Sequence, residues 1–193
     1  MAPKPTQPRL ADIDGKKLAK EVHDKVFEFI ATRAMDIGAT VIGDGQGPGD
    51  GMPAPSTLRF TVQLLTGYAQ RGRSATDWPD DGCCQDALIE VMSALYSCAG
   101  DRGTFGGGAF DLPDEVDATD EIGVVMLAAN ARQTVMLGQA VRVKELAALA
   151  GVHPERVREL IRAGEIAALP NNSIPSKEAK RWLGARGVAG FDE

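Results

Sequence analysis

Residues 143–166 read VKELAALAGVHPERVRELIRAGEI, and this stretch decides the fold. It has the pattern of two short helices meeting at a tight turn. Ala147 sits where the helices approach closely, so a larger side chain would clash. Gly151 falls at the turn, where a left-handed backbone costs little for a residue without Cβ. Pro154 comes next, at the first position of the second helix, where its missing N–H does no harm. Leu146, Val152, Val157, Leu160 and Ile161 supply the apolar contacts that lock the pair.

The segment from Val157 through Arg158, Glu159, Leu160, Ile161, Arg162, Ala163, Gly164 and Glu165 to Ile166 resembles the helix-turn-helix of the MerR-like and phage excisionase-like winged DNA-binding domains, where the second helix ends and the chain turns into a wing hairpin. The next residues fit that order. Residues 166–169 and those around Ile174 are expected as two short wing strands, with Asn171 and Asn172 at the tip, where Asn tolerates left-handed geometry. Ser176 is then expected to cap a last helix over 177–184, with Ala179, Trp182 and Leu183 packing back on the pair. The resemblance covers residues 143–186 of a 193-residue chain.

The resemblance implies that the helix over 154–163 is a recognition helix lying in the major groove of double-stranded DNA. His153, Glu155, Arg156, Arg158 and Arg162 are its exposed polar candidates. Arg158 and Arg162 lead them, because a planar guanidinium pairs bidentately with guanine or holds a phosphate. Lys144 and Lys177 are the expected phosphate contacts, and Asn171 and Asn172 the hydrogen-bonding groups of the wing. The sequence departs from the family in two ways: residues 167–175 contain no Lys or Arg, and no ligand-sensing cysteines come after the module.

Upstream, the chain reads as helices separated by breakers. Residues 16–35 carry Leu18, Val22, Val26, Phe29 and Ile30 at helical spacing, with His23 on the polar, solvated side. Residues 43–55, GDGQGPGDGMPAP, are a flexible loop by their Gly and Pro content. Ser56 or Thr57 is expected to cap a second helix with Leu58, Val62, Leu65 and Ala69 on one side and Phe60, Leu64 and Tyr68 on the other. Such broad apolarity belongs between neighbours or at a subunit interface. A third helix over 84–99 turns Leu88, Val91, Met92 and Leu95 inward, and residues 100–108 break the pattern. In a fourth, over 113–137, Asp114, Glu115, Asp117, Asp120 and Glu121 suit the helix start, and Ile122, Val125, Met126, Ala129 and Met136 form an apolar face.

The expected fold is therefore mainly α. A tail over 1–12 precedes an acidic four-helix domain over 13–138, and a winged helix-turn-helix occupies 141–188. The net charge of −6 opposes nucleic-acid binding as a whole, but its distribution does not. Between positions 141 and 186 nine basic side chains stand against five acidic ones, a local +4, so the rest carries −10. Such asymmetry fits a nucleic-acid-facing module joined to an acidic body.

Other function classes find no support. Cys83, Cys84 and Cys98 lack metal or disulfide spacing, and their acidic neighbours Asp80, Asp81 and Asp86 disfavour a reactive thiolate. His23 and His153 are far apart. Residues 103–108 lack the Gly-Lys-Ser/Thr of a phosphate loop, and residues 44–51 lack the Asp/Asn alternation and final Glu of a calcium loop. No nucleophile, base and orienting acid stand together, so no enzyme, cofactor or metal site is expected. Without a signal-peptide pattern or membrane-length apolar run, the protein is placed in the cytoplasm. The sequence reads as a sequence-specific DNA-binding transcriptional regulator of bacterial, phage or mobile-element type, forming a homodimer through its N-terminal helices. The alternatives are a protein-interaction adaptor built on the same helices and an architectural accessory factor in recombination.

Overall fold

A computed structural model describes residues 8–36, 55–99, 116, 118 and 120–191. Within them the chain forms seven α-helices: α1 (Gly15–Asp36), α2 (Pro55–Arg71), α3 (Cys83–Ala99), α4 (Glu121–Met136), α5 (Val143–Leu149), α6 (Pro154–Arg162) and α7 (Ser176–Ala185). The mainly α class read from the sequence is what is observed. Among the described residues the extended pairing is limited to an isolated antiparallel bridge between Val141 and Ile174.

Helix starts obey local side-chain chemistry. Asp14 Oδ1 accepts from the backbone N–H groups of Lys16 at 2.9 Å and Lys17 at 3.3 Å, supplying partners that the first turn of α1 lacks. α2 opens at Pro55, so Ser56 and Thr57 lie inside its first turn rather than capping it. Proline's fixed φ suits that opening position. α4 starts at Glu121 and not near residue 113. Asp120 Oδ1 accepts from Gly123 N at 2.8 Å, and this direct cap sets the boundary. Val116 and Ala118 are not helical, and Asp114, Glu115 and Asp117 lie outside the described residues, as do the expected break over 100–108 and all of the expected loop over 43–55 but Pro55, which opens α2.

α4 is the central element. It is buried from Ile122 to Gln133 and packs against α1, α2, α3, α5 and α7. Its β-branched Ile122, Val124, Val125 and Val135 each lose a few tenths of a kcal/mol of helix propensity relative to Ala. Burying such a side chain returns about 1.5–3 kcal/mol, so tertiary packing wins over local preference. Met136, expected on the inward face, is exposed at the helix end.

Most of the apolar residues of α2 are buried by its own chain. Leu58, Val62, Leu65, Tyr68 and Ala69 are in the core, between α1, α3 and α4. Phe60 remains outside, 58% exposed, beside a half-buried Leu64. Leu10, within the expected tail, is buried in a 3-10 turn, and Gln70 Nε2 donates to the carbonyls of Leu10 and Ile13, both at 2.9 Å. The buried apolar residues form one connected cluster from Leu10 to Phe191.

Several polar groups reach into this core and are paired there. Arg132, only 2% exposed, donates to the carbonyls of Ala69 (3.2 Å from Nη2) and Ala189 (2.8 Å from Nη1) and lies over the ring of Phe191. Burial lowers its pKa to about 10, which still leaves it cationic at neutral pH. Gln133 Nε2 donates to Asp81 O, and the Tyr68 hydroxyl donates to Asp81 Oδ1 at 2.8 Å. His23, expected on the solvated side of α1, is 7% exposed. It stacks on Phe27, and its Nδ1 lies 2.9 Å from Arg59 Nη2, because α2 packs over that face.

Candidate functional site

The two-helix segment takes the geometry its sequence anticipates. Leu146, Ala147, Val157 and Leu160 are buried, and Val152 and Ile161 pack beside them. Gly151 has φ +65°, Gly151 N donates to Ala148 O at 3.2 Å and Val152 N to Ala147 O at 2.9 Å. α6 ends in the same way, with Gly164 at φ +75° and Glu165 N on Leu160 O at 2.9 Å. In both, a residue free of Cβ lets the orphan carbonyls of the last turn find donors.

α5 is fixed at its start by a buried carboxylate. Glu145, 2% exposed, accepts from the Arg142 backbone N–H at 3.2 Å, from the Arg142 guanidinium and from Asn130 Nδ2 at 2.9 Å. Asn130 belongs to α4, so this network ties the start of α5 to α4. Sequence reasoning leaves out these three residues. The signal available is the three-residue spacing of Arg142 and Glu145 at a helix start.

α6 then presents one exposed polar face. His153 precedes it, and its Nδ1 accepts from Glu155 N at 3.2 Å. Glu155 Oε2 accepts from Arg158 Nη1 at 3.0 Å, and Glu155 Oε1 from Arg162 Nη2 at 2.9 Å. Arg156 Nη1 pairs with Glu159 Oε2 at 3.0 Å. The hydrogen bonds from Arg158 and then Arg162 hold the Glu155 carboxyl below its usual pKa. The pairs Glu155–Arg158 and Arg156–Glu159 come from opposite charges three residues apart on one helix, a spacing legible in the sequence.

The remaining predicted residues lie on α5, on α7 and in the turn before α7. Lys177 is exposed on α7, and so is Lys180, which sequence reasoning does not single out. Lys144 is half-buried and donates to Val116 O at 3.4 Å. Asn171 and Asn172 are exposed in a turn where Asn172 has φ +61°. Asn171 Oδ1 accepts from the Ser173 N–H at 3.1 Å and hydroxyl at 2.7 Å, so it is engaged within the turn.

The expected wing strands are not formed among the described residues. Leu169 N donates to Ser173 O at 2.8 Å, but Ile174 pairs with Val141 instead of with the segment 166–169. Ile166 and Ile174 are both buried, so hydrophobic anchoring and not a ladder holds this loop. Arg181 adds to it by bonding Glu165 O at 3.0 Å and Glu178, whose Oε1 in turn accepts from Ala167 N. Ser176 does not cap α7; its hydroxyl donates to Val135 O at 3.0 Å and ties α7 to α4.

Elsewhere, Cys84 is buried with its Sγ 3.7 Å from Ala129 O, and burial pushes its thiol pKa well up. Among the described residues no three His, Cys, Asp or Glu side chains lie together as a metal site, and no helix is long and apolar enough to cross a membrane. No family model matches the chain, and no curated protein or solved structure has significant similarity to it.

Proposed function

We propose that this chain is a sequence-specific DNA-binding transcriptional regulator in which residues 141–188 act as a helix-turn-helix module and α6 enters the major groove. The observation that carries the reading is the polar face of α6. Arg158 and Arg162 are exposed together on a nine-residue helix whose opposite side is anchored by Val157 and Leu160, with Arg156 farther round the helix on Glu159. Such a helix reaches base edges without disturbing its own packing. Lys177 and Lys180 on α7 add positive charge for phosphates. The local excess of basic residues over 141–186 supports the same reading.

A single module of this size makes few contacts, so the regulator binds a two-fold site as a homodimer. Phe60 and Leu64, one turn apart on α2, are the apolar contact offered for it. Sedimentation at micromolar concentration tests this, and a monomer contradicts it. The DNA reading is tested by comparing Arg158→Ala and Arg162→Ala with the parent on duplexes recovered from a randomised library. Each substitution weakens specific binding by about 1–3 kcal/mol if its arginine reads a base. Unchanged binding in both removes α6 as the reading helix.

A second reading has one observation in its favour. Each arginine of α6 already faces a carboxylate of the same helix, and the whole chain is acidic. An adaptor that docks a partner protein has no need of free cations. Salt-insensitive capture of a protein, with no retention of duplex DNA, distinguishes it.

A further inference from the structure

One carboxylate organises two arginines on α6, and the role inferred for it rests on the DNA-binding reading. Glu155 sits in the first turn, with its backbone N–H held by His153 Nδ1. From there its Oε2 takes Nη1 of Arg158, and its Oε1 takes Nη2 of Arg162. Arg162 is seven residues away, about two helical turns, so it reaches Glu155 only by lying extended along the helix surface. Each guanidinium spends one nitrogen on the carboxylate and keeps its other N–H groups for a ligand. Both arginine side chains remain at least half exposed.

This arrangement suits neutral base edges better than phosphates. Three arginines against Glu155 and Glu159 leave α6 with a surplus of one positive charge, a weak attractor for a polyanion. A guanine edge carries no net charge and is recognised by the direction of the donors, which the carboxylate fixes. Half-exposed ion pairs contribute little to stability, so orientation is what the pair of bonds supplies. The hydrogen bonds from Arg158 and Arg162 lower the carboxyl's pKa, as expected for a carboxylate that holds both guanidinium groups.

We infer that Glu155 is a positioning residue that sets specificity: it orients Arg158 and Arg162 toward guanine edges in the major groove and withholds them from backbone phosphates. The test uses the full chain and its Glu155→Gln variant, matched for thermal unfolding. Three probes are compared across a salt series: a duplex recovered from a randomised library, the same duplex with 7-deazaguanine for guanine, and a scrambled duplex. The parent protein should prefer guanine over 7-deazaguanine. In the variant that preference should fall about tenfold. Binding to the scrambled duplex should tighten, with a salt slope steeper by about one as a released arginine meets a phosphate.

A variant that keeps the full guanine preference, or a parent indifferent to 7-deazaguanine, overturns the role given to Glu155 while leaving DNA binding intact. A parent that retains none of the three duplexes overturns the DNA-binding reading itself, and the inference with it.

Discussion

Gly151 and Gly164 have positive φ, and a Cβ built on either meets nothing within 4 Å. Space is therefore not what selects glycine there; the backbone conformation is. Gly164→Ala should destabilise the protein by about 1–2 kcal/mol in urea unfolding, and an unchanged midpoint would contradict the left-handed turn. Arg132 is the opposite kind of residue, chosen for what its side chain touches. Arg132→Ala leaves the carbonyls of Ala69 and Ala189 without their buried donor. A loss of about 3 kcal/mol is expected, and a loss below about 1 kcal/mol would mean that water replaces the guanidinium. The two cases mark what a sequence discloses at this scale. A glycine after an apolar helical run announces its own φ, as Gly151 does. A buried arginine looks like any surface arginine until the carbonyls around it are known, and nothing near Arg132 in sequence points to residues 69 or 189. His23 reads as solvated for the same reason, since the helix that covers it begins at Pro55, far along the chain.

α6 and α7 each carry a carboxylate whose pKa is lowered, Glu155 by Arg158 and Arg162, and Glu178 by Arg181. For a carboxyl with a depressed folded value, the unfolded state binds protons first as pH falls. The stabilisation is thus complete above the ordinary value of about 4.5 and is lost as pH falls through the lowered folded values. Thermal melts from pH 7 to pH 3 should show this acid-side loss reduced in a Glu155→Gln, Glu178→Gln double variant; parallel curves would remove the pairs as contributors. The elements themselves are largely legible. The 3.6-residue period locates α1, α2, α3 and α5 through α7 to within a few residues, because amphipathic or capped helices carry their boundaries in their own sequence. The start of α4 is not legible in the same way, because a run of acids is compatible with several caps, and the geometry at Asp120 decides among them. The wing fails for a different reason. Strand pairing depends on which distant backbone is opposite, and Ile174 finds Val141.

At the scale of the molecule, α4 joins the N-terminal helices to the segment that carries α6, and the buried cluster is continuous across it. The two tryptophans report on its two ends: Trp78 packs on Tyr68, and Trp182 is buried on α7 beneath Arg186. Single-tryptophan variants, Trp78→Phe and Trp182→Phe, should unfold with coincident midpoints in denaturant. Separate midpoints would make the C-terminal segment an independent unit. The proposed function is less legible than the fold, because the arginine face of α6 is readable in the sequence while what it contacts is not. DNA binding is tested most directly by retention of sheared duplex DNA on the purified full chain over a series of salt concentrations. A shared two-fold motif should be recovered, with log K falling linearly as log salt rises. Retention no greater than that of a protein-free control at the lowest salt would contradict a DNA-binding regulator.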